Sequence, residues 1–234
     1  MAIVAGIDGC RGGWVCLTKD LATGQTHACI LDRIGELLTL KPRPRIVTID
    51  VPIGLTDSGP RACDLQARAL LKRPRSCSVF PTPIRPVLAA ESYPAACQIG
   101  QKADRRKISR QTWAIMPKTL EVDACLRTRP VLQRRIREVH PEVCFCVWNS
   151  NKAMTCKKES RPGREERETL IESRYGHDYR MAQESLPRGQ YNNDDLLDAF
   201  AALWTAERIA AGGAITLPAE PGVDAWGLRM EIVA

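Results

Sequence analysis

The chain opens on an apolar run, Ile3 to Ile7, that stops at Asp8. Gly9-Cys10-Arg11-Gly12-Gly13 follows as a tight connection, and Trp14 to Thr18 reads as a second strand. A turn at Thr23-Gly24-Gln25 leads to a third, Thr26 to Leu31. Sequential strands joined by short turns predict an antiparallel meander. A short helix is predicted over Asp32 to Leu40, with Asp32 as cap and Ile34, Leu37 and Leu38 on one face. Lys41-Pro42-Arg43-Pro44-Arg45 breaks it. Ile46-Val47-Thr48-Ile49 is a continuous apolar, β-branched run, the kind a sheet buries on both faces. It stops at Asp50, and Pro52 and Gly54 keep the ladder from continuing.

The middle is less regular. It offers a helix over Ala62 to Lys72, then a loop studded with Pro74, Pro81, Pro83 and Pro86. A basic run at 102–110 carries Lys102, Arg105, Arg106, Lys107 and Arg110. A further helical pattern covers 119–137, with Arg127, Arg129, Arg134, Arg135 and Arg137. Glu138 to Trp148 alternates like a strand, with Glu142, Cys144 and Cys146 on one face and Val143, Phe145 and Val147 on the other. A solvated helix is expected over Arg164 to Ser173. An Ala- and Leu-rich helix is expected over Asn192 to Ala211, ended by Gly212-Gly213. No internal repeat interrupts this order, which predicts one α/β domain over 1–234 with an elaborated middle.

Composition narrows the class. Hydrophobic residues at 44% and charged residues at 26% suit a globular core, and aromatics at 5% leave the packing to aliphatic side chains. The formal charge of +7 favours polyanions, of which nucleic acid is the commonest. No apolar stretch reaches about 18 residues, so no membrane span is expected. The opening MAIVAGIDG lacks the basic segment and long apolar run of a secretory signal, so a cytoplasmic protein with 10 reduced cysteines is expected. Without a Cys-x-x-Cys pair, and with three His, a zinc site is disfavoured.

Asp8, Asp50 and Glu142 stand at or inside these apolar strands. Asp is depleted in strands, and a buried charge is costly unless paired or metal-bound. A single such acid is better explained as a strand-end cap or turn former. Two strands ending in Asp, with Glu inside a third, predict clustered carboxylates if the sheet sets those strands side by side. Such a cluster repels itself and favours a divalent cation. The late helix adds Asp195 and Asp198, three apart and so on one face. Asn192 to Asp195 also have the chemistry of a helix cap. Asp198 lies beyond the first turn, between Leu197 and Ala199, where Asp is a poor helix former. Hard oxygen donors without soft ligands select Mg²⁺ or Mn²⁺. Two such ions about 3.5–4 Å apart would clamp the attacking and leaving oxygens of a phosphodiester, with Asp8 as the bridging ligand.

Several stretches together resemble a family of uncharacterised proteins predicted to be ribonuclease H-like nucleases. They are Gly6-Ile7-Asp8-Gly9-Cys10-Arg11-Gly12-Gly13-Trp14, Ile49-Asp50-Val51-Pro52-Ile53-Gly54-Leu55, Arg61-Ala62-Cys63-Asp64 and Ser78-Val79-Phe80-Pro81-Thr82-Pro83. Gln111-Thr112-Trp113, Pro117-Lys118, His140-Pro141-Glu142 and Asp194-Asp195-Leu196-Leu197-Asp198-Ala199 complete the set. The resemblance implies a mixed five-stranded sheet: three antiparallel strands, then parallel ones, with helices on both faces. A family-specific insertion would fill about 55–137. It also implies metal-binding acids on the first strand, a central strand and the final helix. Asp8, Asp50, Asp195 and Asp198 match that pattern position by position, while Glu142 falls on the strand after the usual acid-bearing one. The late Asp-x-x-Asp-Ala is also similar to a helix of Holliday-junction resolvases. The family-specific residues Arg61, Asp64, Arg85, Gln111 and Lys118, with Arg11 in the first turn, are candidates to bind substrate. Salt bridges and loop anchors are their other reading.

A Mg²⁺- or Mn²⁺-dependent nuclease acting on DNA or RNA is the leading expectation. An actin-like phosphotransferase would place Asp8-Gly9-Cys10-Arg11-Gly12-Gly13 under a nucleotide's phosphates, although such enzymes duplicate the fold and are longer. A non-catalytic nucleic-acid binder would use the Arg-rich segments for phosphate contact, with few aromatics nearby for base stacking.

Overall fold

The first three apolar runs pair as an antiparallel meander in the computed structural model, which describes residues 2–234. β1 (Ile3–Cys10) pairs with β2 (Gly13–Asp20), and β2 with the edge strand β3 (Thr26–Leu31). On the other side of β1 runs β4 (Ile46–Ile49), parallel to it, and β5 (Ile136–Glu138) lies parallel to β4. The result is a mixed five-stranded sheet in the order β3-β2-β1-β4-β5. Between β4 and β5 the chain inserts α1 (Ala62–Arg75), α2 (Tyr93–Asp104), α3 (Arg110–Thr128) and α4 (Pro130–Gln133). After β5 come α5 (Pro141–Trp148), α6 (Arg161–Ser185) and α7 (Asn193–Ala210). A separate hairpin of β6 (Thr216–Val223) and β7 (Arg229–Val233) follows.

Strand pleating decides which residue meets which helix. Val4, Gly6 and Asp8 alternate with Ala5 and Ile7 along β1. The Gly6 face meets α7 so closely that a Cβ built on Gly6 would lie 2.0 Å from the Leu203 nitrogen. Thr48 on β4 pairs with Gly6 and shares its face; its hydroxyl donates to the Ala202 carbonyl at 2.7 Å. Ala199, Ala202 and Ala206 offer only methyl groups, which lets α7 approach. Leu196 to Ala206 are all buried, in a core shared with α1, α5 and α6. The opposite face, with Ala5, Ile7, Trp14 and Cys16, packs on Val122, Cys125 and Leu126 of α3. Burial of the larger of these, such as Ile7, Val122 and Leu126, stabilises the fold by about 1.5–3 kcal/mol each relative to exposure.

Some predicted elements differ. The strand expected over Glu138 to Trp148 keeps only Glu138 in β5; the rest is helix α5. Pro141 and Glu142 occupy its first turn, where a fixed φ and a negative charge both favour helix. Pro141 to Cys146 are buried without a break, so no 3.6-residue period marks the helix, and its Val-Cys-Phe-Cys-Val alternation mimics a strand. Glu142 is therefore an acid of a helix N-terminus, not of the sheet. The helix expected over 119–137 is the end of α3, then α4 and β5, because Pro130 forces Arg129 out of helical geometry. In α1, Lys72 and Arg73 leave helical φ/ψ ahead of Pro74. The predicted helix at 32–40 is a five-residue 3-10 turn, Ile34–Leu38, that starts after Arg33 rather than from an Asp32 cap. The solvated helix runs longer than expected and is capped by Ser160, whose side chain accepts from Gly163 N–H. Nothing in the sequence reading anticipated α2 or the β6–β7 hairpin. No helix of the described residues is long and apolar enough to cross a membrane.

Candidate carboxylate site

Strand register brings the first two acids together. Ile7 pairs with Ile49, and the Asp50 N–H donates to the Ile7 carbonyl at 3.1 Å. Asp8 and Asp50 are the next residues along, on the face that Gly6 and Thr48 turn toward α7. There Ala199 and Ala202 touch Gly6 and Thr48. Asp195 and Asp198 share that side of α7, one turn nearer its N-terminus. Four of the five sequence-predicted acids therefore gather where β1, β4 and α7 meet.

Burial, and after it mutual repulsion, acts on their ionisation. Burial pushes Asp8 well above the usual carboxylate range, and the charges of Asp50, Asp198 and Asp195 push it further. Burial, with Asp198 next in effect, lifts Asp50 up to about 8. Asp195 is raised by burial and held back by a hydrogen bond, since its Oδ2 accepts the Asn192 N–H at 2.8 Å. That bond belongs to a capping box, so Asp195 serves the helix and faces the cluster at once.

Lys158 partly neutralises the group. Its Nζ donates to Asp198 Oδ2 at 2.8 Å. The charge of Asp198, and then those of Asp8 and Asp50, hold this ammonium above the usual lysine range. In the sequence Lys158 stands just ahead of α6. Its partner is 40 residues away, so no local pattern marks the pair.

Carboxylate oxygens are hard ligands, and buried carboxyl groups give up their protons only where enough positive charge meets them. The donor chemistry of Asp8, Asp50, Asp195 and Asp198 fits Mg²⁺ or Mn²⁺ on that ground. Among the described residues, no three His, Cys, Asp or Glu side chains stand together as a ready-made metal cage. One oxygen of Asp198 is held by Lys158 and one of Asp195 by Asn192.

The cluster opens into a cavity of about 510 Å³, whose lining includes Asp50, Asp198, Lys158, His140 and Glu142. Glu142 reaches this wall from α5. Its Oε1 accepts from Arg167 Nε at 3.1 Å and again from Arg167 Nη2, while its buried Oε2 has no partner. His140 also lines the cavity, with Nε2 at 3.3 Å from the Ser78 carbonyl and a buried, unpartnered Nδ1. Burial pushes the His140 pKa down, toward the neutral ring.

The substrate-binding candidates separate. Gln111 lines the cavity. Arg61 and Asp64 border it too, but Arg61 is 2% exposed and turned inward. It donates to Asp64 Oδ1 at 2.6 Å, to both Glu138 oxygens at 2.7 Å and to the carbonyls of Ile53 and Gly54. Glu138, which no sequence signal singled out, also accepts the Ile53 N–H at 2.6 Å and is pushed up to about 7 by burial. This set locks the segment after Asp50 against β5. Arg85 bridges Asp123 of α3 to Asp224 of the hairpin, away from the cavity. Lys118 donates to the Gly13 carbonyl and stands 4.4 Å from the Trp14 ring centre, under the β1–β2 turn. Arg11, at the tip of that turn, is exposed.

No curated protein and no solved structure matches this chain. A family profile described as "Protein of unknown function (DUF429)" matches residues 6–222, a span that takes in most of the sheet, all of α7 and every acid of the cluster. The chain belongs to that family.

Proposed function

We propose that this protein is a ribonuclease H-like, metal-dependent nuclease that hydrolyses phosphodiester bonds of DNA or RNA. One observation carries the reading. Asp8 and Asp50 project from adjacent parallel strands onto the N-terminal turns of α7, where Asp198 and Asp195 complete a set of acids that repel one another. The strand order β3-β2-β1-β4-β5, antiparallel and then parallel, supports the fold assignment. A protein without use for such a cluster would gain stability by replacing it with apolar side chains.

Asp8, Asp50, Asp195 and Asp198 would hold the divalent ion, which when bound supplies Lewis-acid stabilisation of the phosphate and a water of lowered pKa. The protein's own groups do the rest. Asp8 and Asp50 orient the reacting phosphate's surroundings from rigid strands, and the Gly6 contact fixes their distance from α7. Lys158 can turn from Asp198 to a phosphate oxygen once the acids have another cation. His140 borders the same cavity, with Nε2 against the Ser78 carbonyl. Lys102, Arg105, Arg106, Lys107 and Arg110 are solvent-exposed around the α2–α3 turn and provide the phosphate contacts of a long polyanion.

The test is cleavage of single-stranded and structured DNA and RNA in Mg²⁺ and in Mn²⁺. Loss of groups that merely orient metal ligands costs about 10–100-fold, so Asp8→Asn should reduce cleavage at least about a hundredfold. Wild-type rates in Asp8→Asn would remove the proposal.

A further inference from the structure

Phe80 is the unusual phenylalanine of this chain. Phe145 and Phe200 are fully buried, whereas Phe80 is 44% exposed on the wall of the cavity that contains Asp50 and Asp198. It is exposed on an anchored backbone. Arg68 donates to the carbonyl of Val79, immediately before it, and Val79 itself is buried. Thr112 Oγ1 of α3 donates to the carbonyl of Pro81, immediately after it, at 2.9 Å. Both neighbours are tied down, so the ring is presented to solvent by a fixed segment. Ile115, 37% exposed, and Gln111, one turn before it on α3, line the same cavity.

An apolar, aromatic wall thus continues directly into a polar end with carboxylates and Lys158, within about 510 Å³, a volume ordinary for a small-ligand pocket. The ligand that matches has a flat apolar part joined to an anionic part. Resting on the nuclease reading for the polar end, we propose that Phe80 is the stacking platform for one unpaired nucleobase of a nucleic-acid strand whose phosphate lies at the acid cluster. Ile115 is the base's apolar neighbour, and the Gln111 amide meets its edge. Every base has a π-face, so this contact is tolerant of sequence. A base within a duplex has both faces covered by its neighbours, so the subsite selects single-stranded or locally unpaired strands.

Binding of the purified protein to a thymidine hexamer, and to an abasic hexamer with the same number of phosphates, tests this in Ca²⁺, a hard cation for oxygen ligands. Stacking on one aromatic is worth about fivefold to a hundredfold in affinity. The wild type should prefer the thymidine hexamer by about tenfold. Phe80→Ala should bring the two hexamers within about twofold, and Phe80→Trp should restore the preference. Phe80 is exposed, so both variants should keep the wild-type melting temperature. Equal affinity of the wild type for both hexamers, or a preference that survives Phe80→Ala, overturns the proposal. Thymidine monophosphate measured alongside separates the two sources of a base: if it binds as tightly as the hexamer, the strand is overturned as the ligand. If neither Mg²⁺ nor Mn²⁺ yields cleavage of any substrate while the Phe80-dependent preference persists, the nuclease reading fails and the base subsite stands.

Discussion

Two buried acid clusters flank the segment that follows β4, and they are neutralised in opposite ways. Around Arg61, the carboxylates of Asp64 and Glu138 share one guanidinium whose donors are all bonded. Around Lys158, the carboxyl groups of Asp8, Asp50 and Asp198 share one ammonium that bonds only Asp198. A planar fork matches two carboxylates and fixes their geometry, while an ammonium on a flexible stem is a point charge that can leave. The first cluster is built to stay closed, and the second is left short of positive charge. The contrast teaches where to look for function: in the set of buried charges whose partners are incomplete, rather than in buried charge itself.

Substitutions at the two clusters should therefore behave oppositely. The largest effect is expected for Arg61→Leu, which strands Asp64 and Glu138 in the interior. Breaking a buried pair costs about 3–5 kcal/mol, to be read from the urea midpoint of unfolding. Asp8→Asn relieves repulsion and should leave stability without divalent ions equal to or above wild type; a loss as large as that of Arg61→Leu would erase the contrast. Next comes Gly6→Ala, whose methyl group has no room against the α7 backbone. Overpacking of this kind costs about 1–3 kcal/mol, and here it also pushes Asp198 away from Asp8, so Mn²⁺ affinity should fall together with the melting temperature.

The pH dependence sharpens the same comparison. Asp50 rises to about 8 on folding and Glu138 to about 7, from an unfolded value of about 4. Between those limits the folded chain binds protons that the unfolded chain has released. Stability without divalent ions is therefore highest below about pH 4 as far as these groups are concerned, and is lost as pH rises through about 7–8. Asp50→Asn should flatten that decline, seen by comparing urea midpoints at acidic and mildly alkaline pH. The smallest effect is expected at Asp195. Asp195→Ala removes half of the capping box, worth about 0.3–1.5 kcal/mol, whereas Asp195→Asn keeps an acceptor for the Asn192 N–H. If Asn restores stability but Mn²⁺ binding stays weak, the two roles of Asp195 separate.

How much of this was legible depended on whether the signal was local. β1 to β4 announced themselves as apolar runs closed by Gly, Pro or Asp, and α7 by its Asn cap and Ala-rich body. The clustering of Asp8, Asp50, Asp195 and Asp198 followed from those elements once strand order was assumed. α5 was misread because a helix buried all round has no amphipathic period, although Pro141 and Glu142 after His140 were a usable start signal. β5 was hidden by its length, three residues among arginines. Lys158, and the pairing of Arg85 with Asp224 across 139 residues, depend on contacts that no window of sequence contains.

The close approach of Gly6 to α7 places the control of the acid cluster outside the cluster. The gap between strand acids and helix acids is set by how near the α7 backbone can come, and Gly6, Thr48, Ala199 and Ala202 set that limit. None of them bears a charge. The reach of the site toward an ion is therefore an adjustable spacing: small changes of volume at buried, chemically inert positions would retune it while every ligand is left untouched. Under the proposed metal-binding reading, relatives with identical acids would differ in ion affinity through this spacing, and a search for what distinguishes them should start in the core beneath the acids.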